Sequence, residues 1–479
     1  MTDKLYFSRD TKVFLEPIDP DTGAPFASAL RYEIPVLDGY SFSQATNTTE
    51  VTLNEMSTAS GETRRGRRMF NDSYAPAEWS FQTYIRPFLS GGADGYTNGH
   101  TYAVEEALWG AMIGNGDYVS ASSTDGAVNT TGSAVVPATD TDVDAAVVDL
   151  DTTTDGNGKN AQITLTVSAL GVFSVVLHTT NKGSGYTNGD NLFVSKEDIA
   201  NALGTSVSNV SSDITLPINT ITATTADLYT GFNVRSSDKL DFDFQESNIA
   251  ALGTFNLYFE IGSANTDSTK QTYKISGCVV NEAAIDFDIE GLATISWSGF
   301  GQLISDAAET TPFSTDIIDE GTTATSNFIR NRLTSLTLSE GSTNYGLVLT
   351  GGNITISNNI TFITPETMGI VNQPVGHVAG TRNIGGSFTC YLNGVDDGSA
   401  ELFETIAEGT SSIINSHSAV FSIGGDSAPR LQQTMPTTHL EIPTHSIEDI
   451  ISLEVNFHAL PSTIDAKNEC SLEYKGKAL

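Results

Sequence analysis

Four groups of residues in this chain have types and spacings that could do chemistry. The first is a basic run, in which Arg64, Arg65, Arg67 and Arg68 flank Gly66. Guanidinium groups grip either phosphates or carboxylates through paired hydrogen bonds. Overall charge weighs on that choice: 58 Asp and Glu stand against 23 Lys and Arg, a net charge of −35. So acidic a chain is poorly suited to holding nucleic acid, where cations must replace condensed counterions. The arginines are therefore expected to reach acidic residues on a neighbouring subunit. The second group is Asp140, Asp142, Asp144, Asp149, Asp151 and Asp155. Carboxylates at alternate positions start like a calcium loop, but Ala145 stands where that loop needs Gly and Asp151 where it needs a bidentate Glu. The run reads as a solvated loop.

The third group is His439, Glu441 and His445, which share a face if they lie on one strand. The two histidines would then be roughly 20 Å apart, too far to share a metal ion. The fourth is a pair of Gly-rich segments, GSGYTNGD at 183–190 and GADGYTNG at 92–99. Neither has the Lys-Ser/Thr ending of a phosphate loop, so both read as turns. No G-x-S-x-G, H-E-x-x-H or Cys-x-x-Cys occurs. Cys278, Cys390 and Cys470 are odd in number and unevenly spaced, which implies no disulfide framework. No catalytic residue, cofactor or metal is expected, and the chain does not read as an enzyme.

The elements that would position these groups are β-strands. Apolar residues recur with period two between Gly- and Ser/Thr-rich turns, as in all-β architectures. At 479 residues the chain is too long for one ordinary core. One β-rich unit occurs twice. Ser-Phe-Gln-Thr-Tyr-Ile at 80–85 answers Ser-Phe-Thr-Cys-Tyr-Leu at 387–392, and Ala107-Leu108-Trp109 answers Glu401-Leu402-Phe403. Hairpins are expected at Asn47–Met56 and Asn359–Met368 before these blocks, and long strands at Ala284–Trp297 and Leu440–Phe457 after them. Short helices are expected at Val104–Met112 and Ala400–Ala407. The N-terminus lacks an apolar signal-peptide core, and no run of about 18 apolar residues occurs to span a membrane.

Composition changes at Asp117, and aromatics are sparse until about Ala226. Strands at 163–167 and 172–177 and a helix at Lys196–Leu203 are still expected there, with 120–160 as a linker. The organisation is then a first β unit in two parts, 1–116 and 227–306, interrupted by an inserted small β domain at 117–226. A linker at 307–326 leads to a second unit at 327–479, whose last residues, 462–479, read as a polar tail.

Three separate blocks carry a family resemblance: Arg64–Pro87 (RRGRRMFNDSYAPAEWSFQTYIRP), Gly291–Ile304 (GLATISWSGFGQLI) and Leu349–Pro365 (LTGGNITISNNITFITP). In this order they resemble the duplicated tail tube proteins, or major tail proteins, of long-tailed phages. The resemblance covers 31–116 and 227–463, and the insertion departs from it. It implies a mainly β chain with two tandem tail-tube domains of sandwich or barrel type and short flanking helices. It also implies a virion structural protein, made in the host cytoplasm, with no membrane association. Three chains would form a pseudo-hexameric ring, and rings would stack into a tube through which viral DNA passes without specific binding. A tape measure protein and tail terminator and tip proteins are the implied partners. A tandem-β adhesin or receptor-binding tail fibre fits the Ser/Thr/Gly-rich composition as well. A polysaccharide depolymerase would need a cleft with paired carboxylates, and no aromatic-rich groove segment supports it.

In such a ring one strand face must pack inward on the domain's core and the other must be polar. Ile285, Phe287, Ile289, Ala293, Ile295 and Trp297 make an apolar face, with Asp286, Asp288 and Glu290 opposite. The acids are expected to line the lumen, with Glu448 and Glu454 in the second copy, because the short helices should pack on the apolar side. Gly291 is where the strand could bend and reverse this facing. Arg64, Arg65, Arg67 and Arg68 are the expected contacts between rings.

Overall fold

The computed structural model describes residues 11–18, 23, 25, 31–51, 60, 68–91, 98–113, 118–119, 122–156, 159–224, 228–229, 234–244, 252–262, 271–306, 324–368, 370–408, 417–447, 449–463, 466 and 468–478. The first half opens with β1 (Lys12–Pro17), β2 (Tyr32–Ile34), β3 (Ser41–Ser43), β4 (Thr46–Glu50), β5 (Met69–Tyr74) and β6 (Ala77–Tyr84). In β6 residues alternate between buried Trp79, Phe81 and Thr83 and the more exposed Ser80, Gln82 and Tyr84, the period-two signature of a sheet with one covered face. Helix α1 (Glu106–Ile113) follows, and all eight of its residues are buried.

The segment 122–224 has its own core, centred on Ile163, Leu165, Leu192, Ile199, Ile214 and Leu216 and separate from the main one. Its strand Lys159–Val167 contains the first one expected, Phe173–Ser184 overlaps the second from Phe173 on, and α2 (Lys196–Leu203) matches the expected helix. Ser195 caps α2, accepting from the Asp198 N–H, and Gly204 ends it in the left-handed conformation. The expected linker at 120–160 is instead largely structured: strands run at Ser122–Thr131 and Ala146–Asp151. Asn129, Thr130, Asp149 and Asp151 are exposed there, but so is Val147, which blurs the contrast between the two faces. Tyr118 and Val119 pair with Tyr229 and Leu228, a two-stranded stem that brings the two ends of this segment together.

The chain continues with β7 (Leu240–Asp243), β8 (Phe255–Ile261), β9 (Gln271–Asp288), β10 (Thr294–Gly301) and β11 (Leu303–Asp306). The expected long element at 284–297 is a hairpin of β9 and β10. Gly291, at φ +96°, lies in its turn, a conformation that favours glycine. The turn removes Ile289 from the apolar face, where the sequence pattern placed it, and leaves it 47% exposed. Beyond the turn Ile295 and Trp297 rejoin Ile285 and Phe287 in the core.

The second half contributes β12 (Ser335–Glu340), β13 (Thr343–Tyr345), β14 (Leu349–Ser357), β15 (Thr361–Ile363), β16 (Gly376–Val378), β17 (Asn383–Tyr391), α3 (Ser399–Glu408), β18 (His417–Ile423), β19 (Arg430–Leu440), β20 (Thr444–Ser446), β21 (Ser452–Ala459) and β22 (Ser471–Lys475). The long strand expected over 440–457 is broken. Pro443 lies between β19 and β20, where a missing N–H would interrupt a ladder. The expected polar tail is also corrected: Cys470, Leu472 and Tyr474 are buried, and β22 pairs with both β19 and β7. Residues 307–323 of the expected linker lie outside the described residues.

The halves share one pairing order. In the first it is β2-β1-β8-β9-β10-β6-β3, all antiparallel. In the second it is β13-β12-β18-β19-β21-β17-β14, again antiparallel. Phe81 faces Trp297 across β6 and β10, and Phe388 faces Val455 across β17 and β21. The halves are joined edge to edge where residues 282–288 of β9 pair with residues 351–357 of β14.

Candidate functional site

That seam makes one face out of eight strands, in the order β3-β6-β10-β9-β14-β17-β21-β20. Directly opposed residues of antiparallel strands lie on the same face. One row of the face runs Tyr84, Thr294, Asp286, Asn353, Ser387 and Asn456. Asp286 and Asp288 are exposed on it, and so are Glu78 and Glu454, while Glu282 is half-buried. Among the described residues of these strands, taking β9 over 282–288, no Lys or Arg stands on this face. Glu78 and Glu282 were not singled out in the sequence. Their signal was an acidic residue in phase with the polar side of an alternating strand.

Glu290 lies in the β9–β10 turn, where its N–H donates to Asp288 Oδ1 at 2.8 Å. Glu448 falls outside the described residues. The opposite face is apolar and carries the helices. Trp109 of α1 meets Trp297 of β10 edge-on, with ring centroids 4.8 Å apart, a favoured aromatic geometry. Phe403 of α3 meets His445 of β20 in the same way, at 4.9 Å.

Beneath α1 is a buried polar cluster. The Arg86 N–H lies 3.3 Å from each Glu105 carboxylate oxygen, and the Arg86 guanidinium donates to Ala324 O at 2.9 Å and stacks 4.5 Å from the Phe328 ring. Burial pushes the Glu105 carboxyl up from 4.5 to about 7, against the opposing pull of its own N–H, the Tyr474 hydroxyl and Arg86. Trp109 Nε1 donates to the Tyr474 hydroxyl. The cluster thus ties the first half to β22 of the second.

Arg68 sits at the foot of β5, its carbonyl accepting from the Val51 N–H at 2.9 Å. Arg64, Arg65 and Arg67 lie outside the described residues, in the connection between paired strands β4 and β5. The β4–β5 and β15–β16 hairpins stand side by side, joined by the Tyr74 N–H to Asn372 O and the Asn372 N–H to Asp72 O. Their surfaces show apolar groups that the sequence reading missed. Met69 and Phe70 are over half exposed, and Met368 and Ile370 are more exposed still.

The remaining chemical candidates do not converge. His439, Glu441 and His445 do not share a face, because the chain breaks after β19. Glu441 instead lies 3.7 Å from His458 Nε2, and His445 turns to Phe403. Asp149 and Asp151 accept from Thr164 and Gln162 of the neighbouring strand, and Asp155 from Asn191. Among the described residues no cluster could hold a metal ion. In the Gly-rich segment at 183–190, Asp190 closes a turn by accepting from the Thr187 N–H and hydroxyl; residues 92–97 of its echo lie outside the described residues. Cys278, Cys390 and Cys470 are buried free thiols. No helix among the described residues is long and apolar enough to cross a membrane.

No protein-family model matches the chain. A curated relative does, the tail tube protein pb6 of Escherichia phage T5, 27% identical over 482 residues that cover 99% of this chain and 76% of the relative. Similarity sustained through both halves and the insertion agrees with the β-rich architecture, and makes the chain similar to a phage tail tube protein along almost its whole length.

Proposed function

We propose that three copies of this chain form a ring with six similar positions, and that rings stack into a hollow tube conducting phage DNA. The supporting observation is the eight-stranded face, built from both halves through one in-chain seam and free of Lys and Arg among its described residues. Repeating a head-to-tail contact closes a ring when the rotation fits, and closing a sheet removes its edges. With helices on the apolar side, the polar face looks inward. Asp286, Asp288 and Glu454 then line the lumen, joined by Glu78 and Glu282, with Glu290 at its margin. Their charge repels phosphate over roughly 8 Å at physiological salt, so DNA slides without local binding minima. The protein is a structural component of the virion tail. Its hairpins, with the basic loop 64–68 and the exposed Met69, Phe70 and Met368, serve ring stacking.

Cryo-electron microscopy of the assembled protein tests this reading. Three chains per ring with these carboxylates inside are expected. Six full chains per ring, or a lumen lined by Lys and Arg, would overturn it.

A further inference from the structure

Each half of the chain has a counterpart for every strand at the seam, and two of those counterparts have a free side. In the second half the match for residues 284–286 of β9 is β20. Thr444, His445 and Ser446 oppose Glu454, Leu453 and Ser452, as 284, 285 and 286 oppose 296, 295 and 294 of β10. In the first half the match for β14 is β3. Ser41 and Phe42 oppose Ser80 and Trp79, as Asn353 and Ile354 oppose Ser387 and Gly386. Inside the chain the β9 segment is covered by β14. Among the described residues β20 pairs only with β21, and β3 only with β6.

Burial marks the same difference. Phe287 is 3% exposed, packed 5.7 Å from Phe421 and against Gly352. Its counterpart Ile447 is 82% exposed. α1 is wholly buried, and Asn358, just past β14, donates to Met112 O at its end. The matching helix α3 keeps Glu401, Glu404 and Ala407 exposed. The pieces also swap size: Tyr40 stands at the position of Gly352, and Ile447 at that of Phe287, so a large ring changes strand while the pair keeps its bulk.

We infer that β3 of one chain pairs antiparallel with β20 of the next, with Ser43 opposite Thr444, Phe42 opposite His445 and Ser41 opposite Ser446. The junction between chains repeats the junction within the chain, so each ring carries one seam geometry at every position. Unpaired strand edges supply the backbone donors and acceptors for this addition. The inference rests on the ring reading and adds the edges and their register.

The test is disulfide trapping in the full chain, whose native thiols are all buried. Ser43→Cys with Thr444→Cys places two thiols on a directly opposed pair, within bridging range. Ser41→Cys with Thr444→Cys moves one thiol about 7 Å along the strand, beyond that range. After mild oxidation of assembled protein, a covalently closed three-chain species is expected on a non-reducing gel. It should exceed that from the offset pair at least tenfold. Mixing the two single variants, Ser43→Cys and Thr444→Cys, should link unlike chains. Rings that form but do not cross-link, or cross-link equally in both registers, overturn the inference and leave the ring reading intact. If the unsubstituted chain forms no rings by electron microscopy and native mass, the ring reading itself fails. Should the double variant not assemble, hydrogen exchange on the unsubstituted chain decides. Amides of 41–43 and 444–446 should gain at least 100-fold protection in the ring, and no gain refutes the pairing.

Discussion

Replacing Glu105 by Gln should stabilise this protein at pH 8 and leave it unchanged near pH 4. Glu105 is buried beneath α1, and its carboxyl is pushed from 4.5 to about 7 because desolvation outweighs the groups that favour its charge. The folded chain therefore binds a proton that the unfolded chain has released between those values. Stability linked to this group is full below pH 4.5 and is lost as pH rises through about 7. Each tenfold change in proton affinity is worth about 1.4 kcal/mol, so the loss is about 3 kcal/mol by pH 8. Glutamine keeps the acceptor for the Arg86 N–H and the Tyr474 hydroxyl but never ionises. Trp79, Trp109 and Trp297 all lie in the main core, so their fluorescence during urea unfolding reports this region. The difference in unfolding free energy between Glu105→Gln and the parent should grow by about 3 kcal/mol from pH 4.5 to pH 8. Glu105→Leu, which removes the acceptors, should destabilise at every pH. Parallel pH curves for the parent and Glu105→Gln would refute the argument.

Gly352→Ala should lower the thermal midpoint. An added Cβ there would sit 2.5 Å from Ser387 O and 2.8 Å from the Phe287 ring, and overpacking of this kind costs about 1–3 kcal/mol; an unchanged midpoint would show that the seam yields. Replacing Arg64, Arg65, Arg67 and Arg68 with Ser should leave the fold intact and shorten tubes, measured by electron microscopy. Unchanged tube length and salt resistance would remove the loop from ring stacking. Deleting residues 120–227 while joining the 118–119 and 228–229 stem through a Gly/Ser turn should still give tubes, since that segment has its own core. Monomers alone would make it part of the assembly contact.

Legibility in the sequence followed the physics of side chains. Alternation of Trp79, Phe81 and Thr83, the Ser195 cap and Gly204 end of α2, and the turn at Gly291 are local signals that need no knowledge of partners. The strand at 471–475 was missed because its apolar set, Cys470, Leu472 and Tyr474, is diluted by Lys and Glu on the other face. The break before β20 was foreshadowed by Pro443 but hidden by the alternation on either side. Asp286 and Asp288 could be assigned opposite Phe287 from period two alone. The seam between β9 and β14 could not be assigned, because ladder bonds come from the backbone, which is the same for every sequence. Nor could the exposed Met69 and Met368 be told from core residues by type.

In the proposed ring the two seams would face different demands, and their residues differ accordingly. The seam within the chain forms once, during folding, and can bury Phe287 against Gly352. The open edges must stay apart until chains meet. β3 and β20 are each only three residues long, and short edges offer little template for unwanted pairing. Pro443 adjoins β20, and His445 occupies the place of Ile285 with its ring held against Phe403 of α3. A net charge of −35 adds long-range repulsion between free chains. Against this stand the exposed Ile442, Ile447 and Ile450 around β20, whose burial supplies the driving force once an edge docks, at about 1.5–3 kcal/mol for each fully covered side chain. In the ring proposed above, an edge with short ladders, a polar face and a few exposed isoleucines would be weak alone and strong when repeated. That balance suits the proposed tail subunit, which would have to stay apart from its copies before assembly and hold its place afterwards.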